Sequence, residues 1–132
     1  MDNLKLIAPA IIESIENWLE IKAATSTLAS NTRVAYHNDV TDFFIFLSEH
    51  HNEITQLSTV EKLKISDIRA WQAKLRNMNS GARSNARKLS SLKSYIRWLA
   101  KHRGFDATYI LSIKSPKFSN KLPRPLEPME AK

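Results

Sequence analysis

Apolar residues recur at spacings of three and four in four separate segments of this chain. That spacing is typical of helices with one buried face. The first segment follows Pro9, a residue suited to a helix start, and its apolar stripe runs from Ile11 to Leu19. The second opens at the sequence SNT (30–32), where a side-chain oxygen is expected to cap free backbone N–H groups. Its apolar face comprises Tyr36, Val40, Phe43, Phe44 and Leu47.

The third helix is predicted to begin near Ser66, a residue suited to capping a helix. The stretch before it (48–63) is interpreted as a loop, either without regular structure or with a short extended or turn element. Its buried positions are Ile68, Trp71, Leu75 and Met78. The fourth helix lies between the only two glycines, Gly81 and Gly104, and the second of these is a typical helix stop. Its apolar residues are Leu89, Leu92, Tyr95, Ile96 and Leu99. A short fifth helix is expected to start at Asp106 and to end before Pro116.

These segments predict an all-α bundle of four to five helices occupying residues 1–115. Residues 116–132 hold four of the five prolines, a composition that favours an extended linker. A chain ending in such a linker is expected to be the front part of a longer protein. The chain contains no cysteine, which excludes disulfides and thiolate metal sites and fits a reducing, cytoplasmic location.

Positive charge is concentrated in the second half of the chain. Residues 1–79 carry eight Lys/Arg and ten Asp/Glu, whereas residues 80–124 carry eleven Lys/Arg and one acid, Asp106. This asymmetry predicts a polyanionic partner, most commonly a nucleic acid. An anionic membrane surface and an acidic protein are the alternatives. A membrane-spanning segment is not expected, because no apolar run approaches the roughly 20 residues that span a bilayer.

The fourth helix carries most of this charge opposite its apolar stripe. A wheel places Arg83, Arg87, Ser90, Ser94, Arg97 and Lys101 on the outer side. Arginine binds phosphate through two N–H groups, and short hydroxyls, including those of Ser84 and Ser91, let a polyanion approach closely. We expect Asn85 and Arg87 to reach base edges, and Lys88 and Lys93 to contact the backbone. The alternative is a solvated face, but such a face normally mixes both signs of charge.

The start of the second helix is a weaker candidate phosphate site. Thr32 and Arg33 lie in its first turn, where free N–H groups and the helix dipole favour an anion. The alternative is a simple cap with a solvated Arg33.

No catalytic constellation is recognised in the sequence. Two glycines cannot form a phosphate-binding loop, and the adjacent His50 and His51 point to different faces and do not suit one metal. No base motif marks Tyr36 or Tyr95 as a nucleophile. The sequence therefore predicts no catalytic residue, no metal, no cofactor and no small-molecule ligand.

The order of these segments resembles the N-terminal, SAM-like core-binding domain of tyrosine recombinases and phage-type integrases, especially the bacterial Xer recombinases. The matching stretches are IIESIENWLE (11–20), SNTRVAYHNDVTDFFIFL (30–47), ISDIRAW (65–71), ARSNARKLSSLKSYIRWL (82–99) and SPK with LPRPL (115–126). The Asn-Pro that the family usually carries near the short fifth helix is replaced here by DATYILSIKSPK (106–117).

The resemblance implies half of a clamp around duplex DNA in an enzyme that recombines DNA through a 3′-phosphotyrosyl intermediate. It implies paired protomers, forming a homo- or heterotetramer, and a role in chromosome dimer resolution or DNA integration. The catalytic residues would lie in a second domain, so this fragment is expected not to be an enzyme. The DNA-facing positions implied by resemblance are Thr32, Arg33, Tyr36, Ser84, Arg87, Ser90, Ser91 and Lys93. The wheel of the fourth helix adds Arg83 and Arg97, and the expected contacts to base edges and backbone add Asn85 and Lys88.

Two other functions remain open at this point. One is a protein-interaction module whose basic helix docks on an acidic partner. The other is a self-sufficient enzyme using Tyr36 or Tyr95. If DNA binding is correct, replacing Arg87 and Lys93 by alanine is expected to weaken it without unfolding the domain. The DNA-binding hypothesis as a whole requires the arginines of residues 83–101 to face outward, neither paired with carboxylates of the same chain nor covered by protein.

Overall fold

The computed structural model describes residues 6–25 and 28–115, and in these ranges the fold is all-α, as predicted. Six helices are present there: α1 (Pro9–Thr25), α2 (Ser30–His51), α3 (Leu57–Glu61), α4 (Ile65–Asn77), α5 (Ala82–Arg103) and α6 (Thr108–Leu111). Four of them are the predicted long helices and α6 is the predicted short one. The predicted linker (116–132) lies outside the described residues.

The additional helix, α3, lies in the stretch that was predicted to be a loop. Helix α2 extends to His51, and Asn52 ends it in the left-handed region at φ 56°. The chain then makes one parallel bridge between Ile7 and Thr55 before α3 begins. The Thr55 N–H donates to the Leu6 carbonyl over 3.0 Å, so residues 52–63 are anchored to the start of the chain.

The beginnings of two helices differ from the prediction. The residue before α2 is Ala29, and no side chain hydrogen-bonds to cap that helix, so the predicted SNT cap is wrong. At α4 the cap comes from Asp67 rather than Ser66, because the Lys64 N–H donates to Asp67 Oδ2 over 3.0 Å. A carboxylate in a first turn also interacts favourably with the helix dipole. Met78, predicted to be buried, is exposed because it lies just after the end of α4.

The core is built from the predicted apolar stripes. Trp71, Tyr95, Phe43 and Phe44 are the largest fully buried side chains. The Phe43 ring meets the Trp71 ring edge-on at 5.0 Å, and Phe44 meets Tyr95 at 5.7 Å, so aromatic contacts join α2 to both α4 and α5. Helix α5 therefore has its apolar side seated on the rest of the bundle.

Helix α5 ends where the sequence predicted. Gly104 adopts φ 76°, and its N–H donates to the Ala100 carbonyl over 2.7 Å. The left-handed conformation suits glycine because it has no Cβ.

None of the helices in the described ranges is long and apolar enough to cross a membrane.

Candidate nucleic-acid interface

The outward side of α5 is a positively charged surface whose exposed members are regularly spaced. Arg83, Ser90, Arg97 and Lys101 are exposed, at intervals of seven, seven and four residues that place them on one side of a helix. Within the part of the chain that the structure describes, Arg83, Arg97 and Lys101 form no ion pair. These three cations and Ser90 are called the α5 face below. These four side chains are exposed, as the helical wheel predicted.

Arg87 departs from that prediction because it forms an intramolecular ion pair. Its Nε donates to Asp39 Oδ2 over 3.0 Å and its Nη2 donates to Asp39 Oδ1 over 2.8 Å. Asp39 comes from the middle of α2 and is 1% exposed. The hydrogen bond to Asp39 raises the pKa of the Arg87 guanidinium. The expectation that this arginine is free of carboxylates was wrong.

The pairing leaves Arg87 with binding capacity. Its side chain is 48% exposed, and the two bonds to Asp39 use two of the five guanidinium N–H groups. Lys88 Nζ lies 3.6 Å from Asp39 Oδ1, so two cations surround one carboxylate and the cluster keeps a net charge of about +1. Asp39 therefore fixes the direction of Arg87 without neutralising this part of the surface.

Ser91 and Lys88 lie beneath the surface rather than on it. Ser91 is 2% exposed, and its hydroxyl lies 3.1 Å from Asp39 Oδ2 and 3.0 Å from the Arg87 carbonyl. The Lys88 side chain is only 18% exposed. The side chains of Asp39, Arg87, Lys88 and Ser91 are called the Asp39 cluster below. Because its hydroxyl is buried in this cluster, Ser91 is no longer an expected DNA contact. Lys88 contributes charge more than direct contact.

Asn85 and Lys93 also turn away from the outer side. The Asn85 amide donates to the Ser80 carbonyl over 3.4 Å, and its Oδ1 atom is buried without a hydrogen-bond partner. This places the amide against the turn before α5 rather than toward a base edge. Lys93 Nζ donates to the Ile113 carbonyl over 2.6 Å. Burial lowers the pKa of Lys93, and the nearby charges of Arg97 and Lys114 lower it further.

The start of α2 contributes unequally to the same side of the molecule. Tyr36 is half-buried and stacks on Trp18 of α1, with ring centroids 6.2 Å apart, and it lies near Arg87. Arg33 instead lines a groove of about 230 Å³ between α1 and α2 that also includes Glu16. Thr32 is half-buried. Tyr36 therefore adjoins the Asp39 cluster, whereas Arg33 turns toward α1.

Sequence reasoning missed Asp39, although a signal was available. Asp39 follows Tyr36 by three residues and precedes Phe43 by four, so it falls within the apolar face of α2. A carboxylate in that position must be paired, since an unpaired buried charge is strongly unfavourable. The cations of α5 were the candidate partners of the Asp39 carboxylate.

The tyrosine and histidine side chains have structural contacts. The Tyr95 hydroxyl is fully buried and lies 2.5 Å from the Ser14 hydroxyl. Burial raises the pKa of Tyr95 to about 12, which disfavours the phenolate form that a nucleophile needs. His51 Nε2 lies 2.8 Å from Asp67 Oδ1, and no group of three potential ligands that would suit a metal occurs among residues 6–25 and 28–115.

Comparison with known proteins shows which family and which relatives the chain is similar to. The family described as phage integrase, N-terminal SAM-like domain, matches residues 15–103. Tyrosine recombinase XerC of Rickettsia typhi is 33% identical over 89% of this chain and 38% of its own length, and that of Rickettsia prowazekii is 34% identical over the same shares. XerC of Brucella suis is 31% identical over 98% of this chain and 42% of its own length. The chain thus spans about two fifths of the length of these relatives. No solved structure matches it significantly.

Proposed function

Because the chain belongs to the phage integrase N-terminal SAM-like domain family, we propose that it is the DNA-binding part of a Xer-like site-specific tyrosine recombinase. In this proposal the α5 face lies against the phosphate backbone of duplex DNA at a recombination site. The observation that carries it is the row of exposed cations without carboxylate partners, on a helix whose opposite side is seated in the core.

The chemistry of that face suits a phosphate backbone. Arg83 and Arg97 each present a planar fork of donors, which matches phosphate oxygens in pairs. Ser90 lies between them with a short side chain, so a strand can approach the helix closely. Arg87, held by Asp39, offers its remaining N–H groups from a fixed position. Such contacts hold the protein in register, whereas sequence is recognised through base edges.

The whole recombinase would cut and rejoin DNA through a 3′-phosphotyrosyl intermediate, with catalytic groups supplied outside this chain. Pairs of protomers would assemble as a tetramer on two sites, for chromosome dimer resolution or DNA integration. We propose no metal, cofactor or catalytic residue for this fragment, which would act in the cytoplasm by holding DNA.

The proposal is tested by fluorescence anisotropy with a labelled DNA duplex of mixed sequence, titrated at several salt concentrations. The wild-type chain should bind saturably near 0.1 M salt, with a Kd of about 10⁻⁴ to 10⁻⁶ M. Removing two phosphate contacts in the variant Arg83→Gln plus Arg97→Gln should weaken binding. The slope of log K against log salt should become shallower by about 1.8, since each contact contributes about 0.9.

The matched control is Lys62→Gln plus Lys64→Gln. These two lysines line a different groove, which contains the carboxylates of Glu53 and Asp67 and so does not suit a phosphate. The control loses the same charge and should bind DNA like the wild type. Absence of saturable DNA binding, together with binding to polyglutamate, would replace the proposal with the protein-interaction alternative. Equal DNA binding by the two double variants would contradict the proposed contact between the α5 face and DNA.

A further inference from the structure

A second positively charged surface adjoins the α5 face on the side of α4. It is a groove of about 300 Å³ between α4 and the residues that follow α6, lined by Arg69, Gln72, Arg76, Ile113, Lys114 and Ser115. We call it the α4–α6 groove. The expected DNA contacts, all on α2 and α5, included none of these residues.

The α4 wall follows from the packing of that helix. Ile68, Trp71 and Leu75 are buried, so the neighbouring positions Arg69 and Arg76 are turned outward and are exposed. The two arginines are seven residues apart and therefore lie about 10.5 Å apart along the helix. Two cations at that separation can contact different phosphates of one backbone.

The opposite wall is fixed by contacts of the bundle. Ile113 is 6% exposed, and its carbonyl accepts the hydrogen bond from Lys93 Nζ. Lys114 and Ser115 follow directly, so their positions are set by an anchored residue. This wall of the groove is therefore held by contacts within the bundle.

Charge is continuous between the groove and the α5 face. Lys93 connects them, because its ammonium bonds to the Ile113 carbonyl and lies close enough to Arg97 and Lys114 to be affected by both charges. No carboxylate lines the α4–α6 groove in the part of the chain that the structure describes. Arg69, Arg76 and Lys114 also form no ion pair with any described residue.

From this arrangement we infer that the α4–α6 groove is a second nucleic-acid contact, where Arg69, Arg76 and Lys114 hold the backbone phosphates of the duplex beyond those at the α5 face. The inference rests on the proposed function and extends it to an element outside the predicted interface. A continuous polyanion explains both surfaces at once, since it can pass from Arg97 across Lys114 to α4.

The test compares Arg69→Gln plus Arg76→Gln with the wild type and with Lys62→Gln plus Lys64→Gln in the same anisotropy titration. The groove variant should bind the duplex more weakly than the matched control at every salt concentration. Its salt slope should be shallower than the wild-type slope by about 1.8, corresponding to two lost phosphate contacts. Circular dichroism and thermal unfolding check that all variants are folded.

The two proposals fail in different ways. If the wild type binds DNA and Arg83→Gln plus Arg97→Gln weakens it, while the groove variant matches the control in affinity and slope, the groove contact is wrong and the proposed function stands. If the groove variant loses binding to polyglutamate but keeps its affinity for DNA, the groove takes an acidic protein and the inference is overturned. If the wild type binds no DNA, both proposals fall together.

Discussion

Asp39 is the residue that fixes the position of Arg87 on the positively charged side of the molecule. It is a buried carboxylate that receives two donors from Arg87, shares the Ser91 hydroxyl and lies near Lys88. An exposed ion pair contributes about 0–1 kcal/mol, but breaking a buried one leaves an uncompensated charge and costs about 3–5 kcal/mol. Because Asp39 is 1% exposed, the second case applies despite the exposure of Arg87.

We therefore predict that Arg87→Met destabilises the fold by about 3 kcal/mol, toward the lower end because Lys88 and Ser91 still face the carboxylate. The double variant Asp39→Leu plus Arg87→Met should recover most of that loss, since it also removes the buried charge. Urea unfolding of the wild type, both single variants and the double variant measures the coupling. A loss below about 0.5 kcal/mol for Arg87→Met would show that the pair behaves as a surface pair. This revises the expectation that replacing Arg87 affects only DNA binding.

Tyr95 gives the fold a dependence on high pH. Its pKa is raised to about 12 by burial, against about 10 in an unfolded chain. As the pH rises, Tyr95 therefore loses its proton in the unfolded state before it does so in the folded state. Its contribution to the free energy of unfolding is full below pH 10 and is lost between about pH 10 and 12. Urea unfolding across that range should show a steeper fall in stability for the wild type than for Tyr95→Phe. Parallel curves for the two proteins would contradict the burial of this hydroxyl.

At the scale of elements, a helix could be predicted where its apolar stripe was long and a residue such as glycine marked its end. The stripes of α1 and α5 and the end of α5 at Gly104 were correct because they depend on local spacing and backbone conformation. Helix α2 begins at Ser30, within the predicted SNT, but its predicted side-chain cap was wrong. Helix α3 was not predicted because its segment is held by a contact that is distant in sequence. The Ile7–Thr55 bridge, for example, joins residues 48 positions apart in sequence.

The same limit explains which site residues could be predicted. A helical wheel separates the inside of α5 from its outside, and it placed Arg83, Ser90 and Arg97 correctly on the exposed side. It cannot show that Asp39 of α2 lies beside Arg87 or that Lys93 reaches the Ile113 carbonyl. These contacts connect different helices, so they appear only when the packing is known.

The end of α5 supplies a prediction with an internal control. Gly104 has φ 76°, a conformation in which a side chain is strained by about 1–2 kcal/mol, whereas Gly81 has φ −65° and open space around it. Gly104→Ala should lower the free energy of unfolding by about 1 kcal/mol. Gly81→Ala should change it by less than about 0.5 kcal/mol. Similar losses in the two variants, measured by urea unfolding, would contradict the left-handed end of α5.

At the scale of the whole molecule, charge and packing are arranged on opposite sides of one helix. The apolar side of α5 contacts α1, α2 and α4, and its outer side carries the exposed cations. The Asp39 cluster lies on one flank of that outer side, and the α4–α6 groove lies on the other, connected through Lys93. We expect a duplex to cover these three parts together, which would make the interface broader than one helix.

The central claim is that the outer side of α5 contacts the DNA backbone, and nuclear magnetic resonance tests it most directly. A mixed-sequence duplex is titrated into the ¹⁵N-labelled chain while the amide signals are followed. The largest shifts are predicted at Arg83, Ser84, Ser90 and Arg97, with little change at the exposed residues Glu13 and Glu20 of α1. Shifts confined to α1, or no salt-dependent shifts along α5 at saturating DNA, would contradict the account.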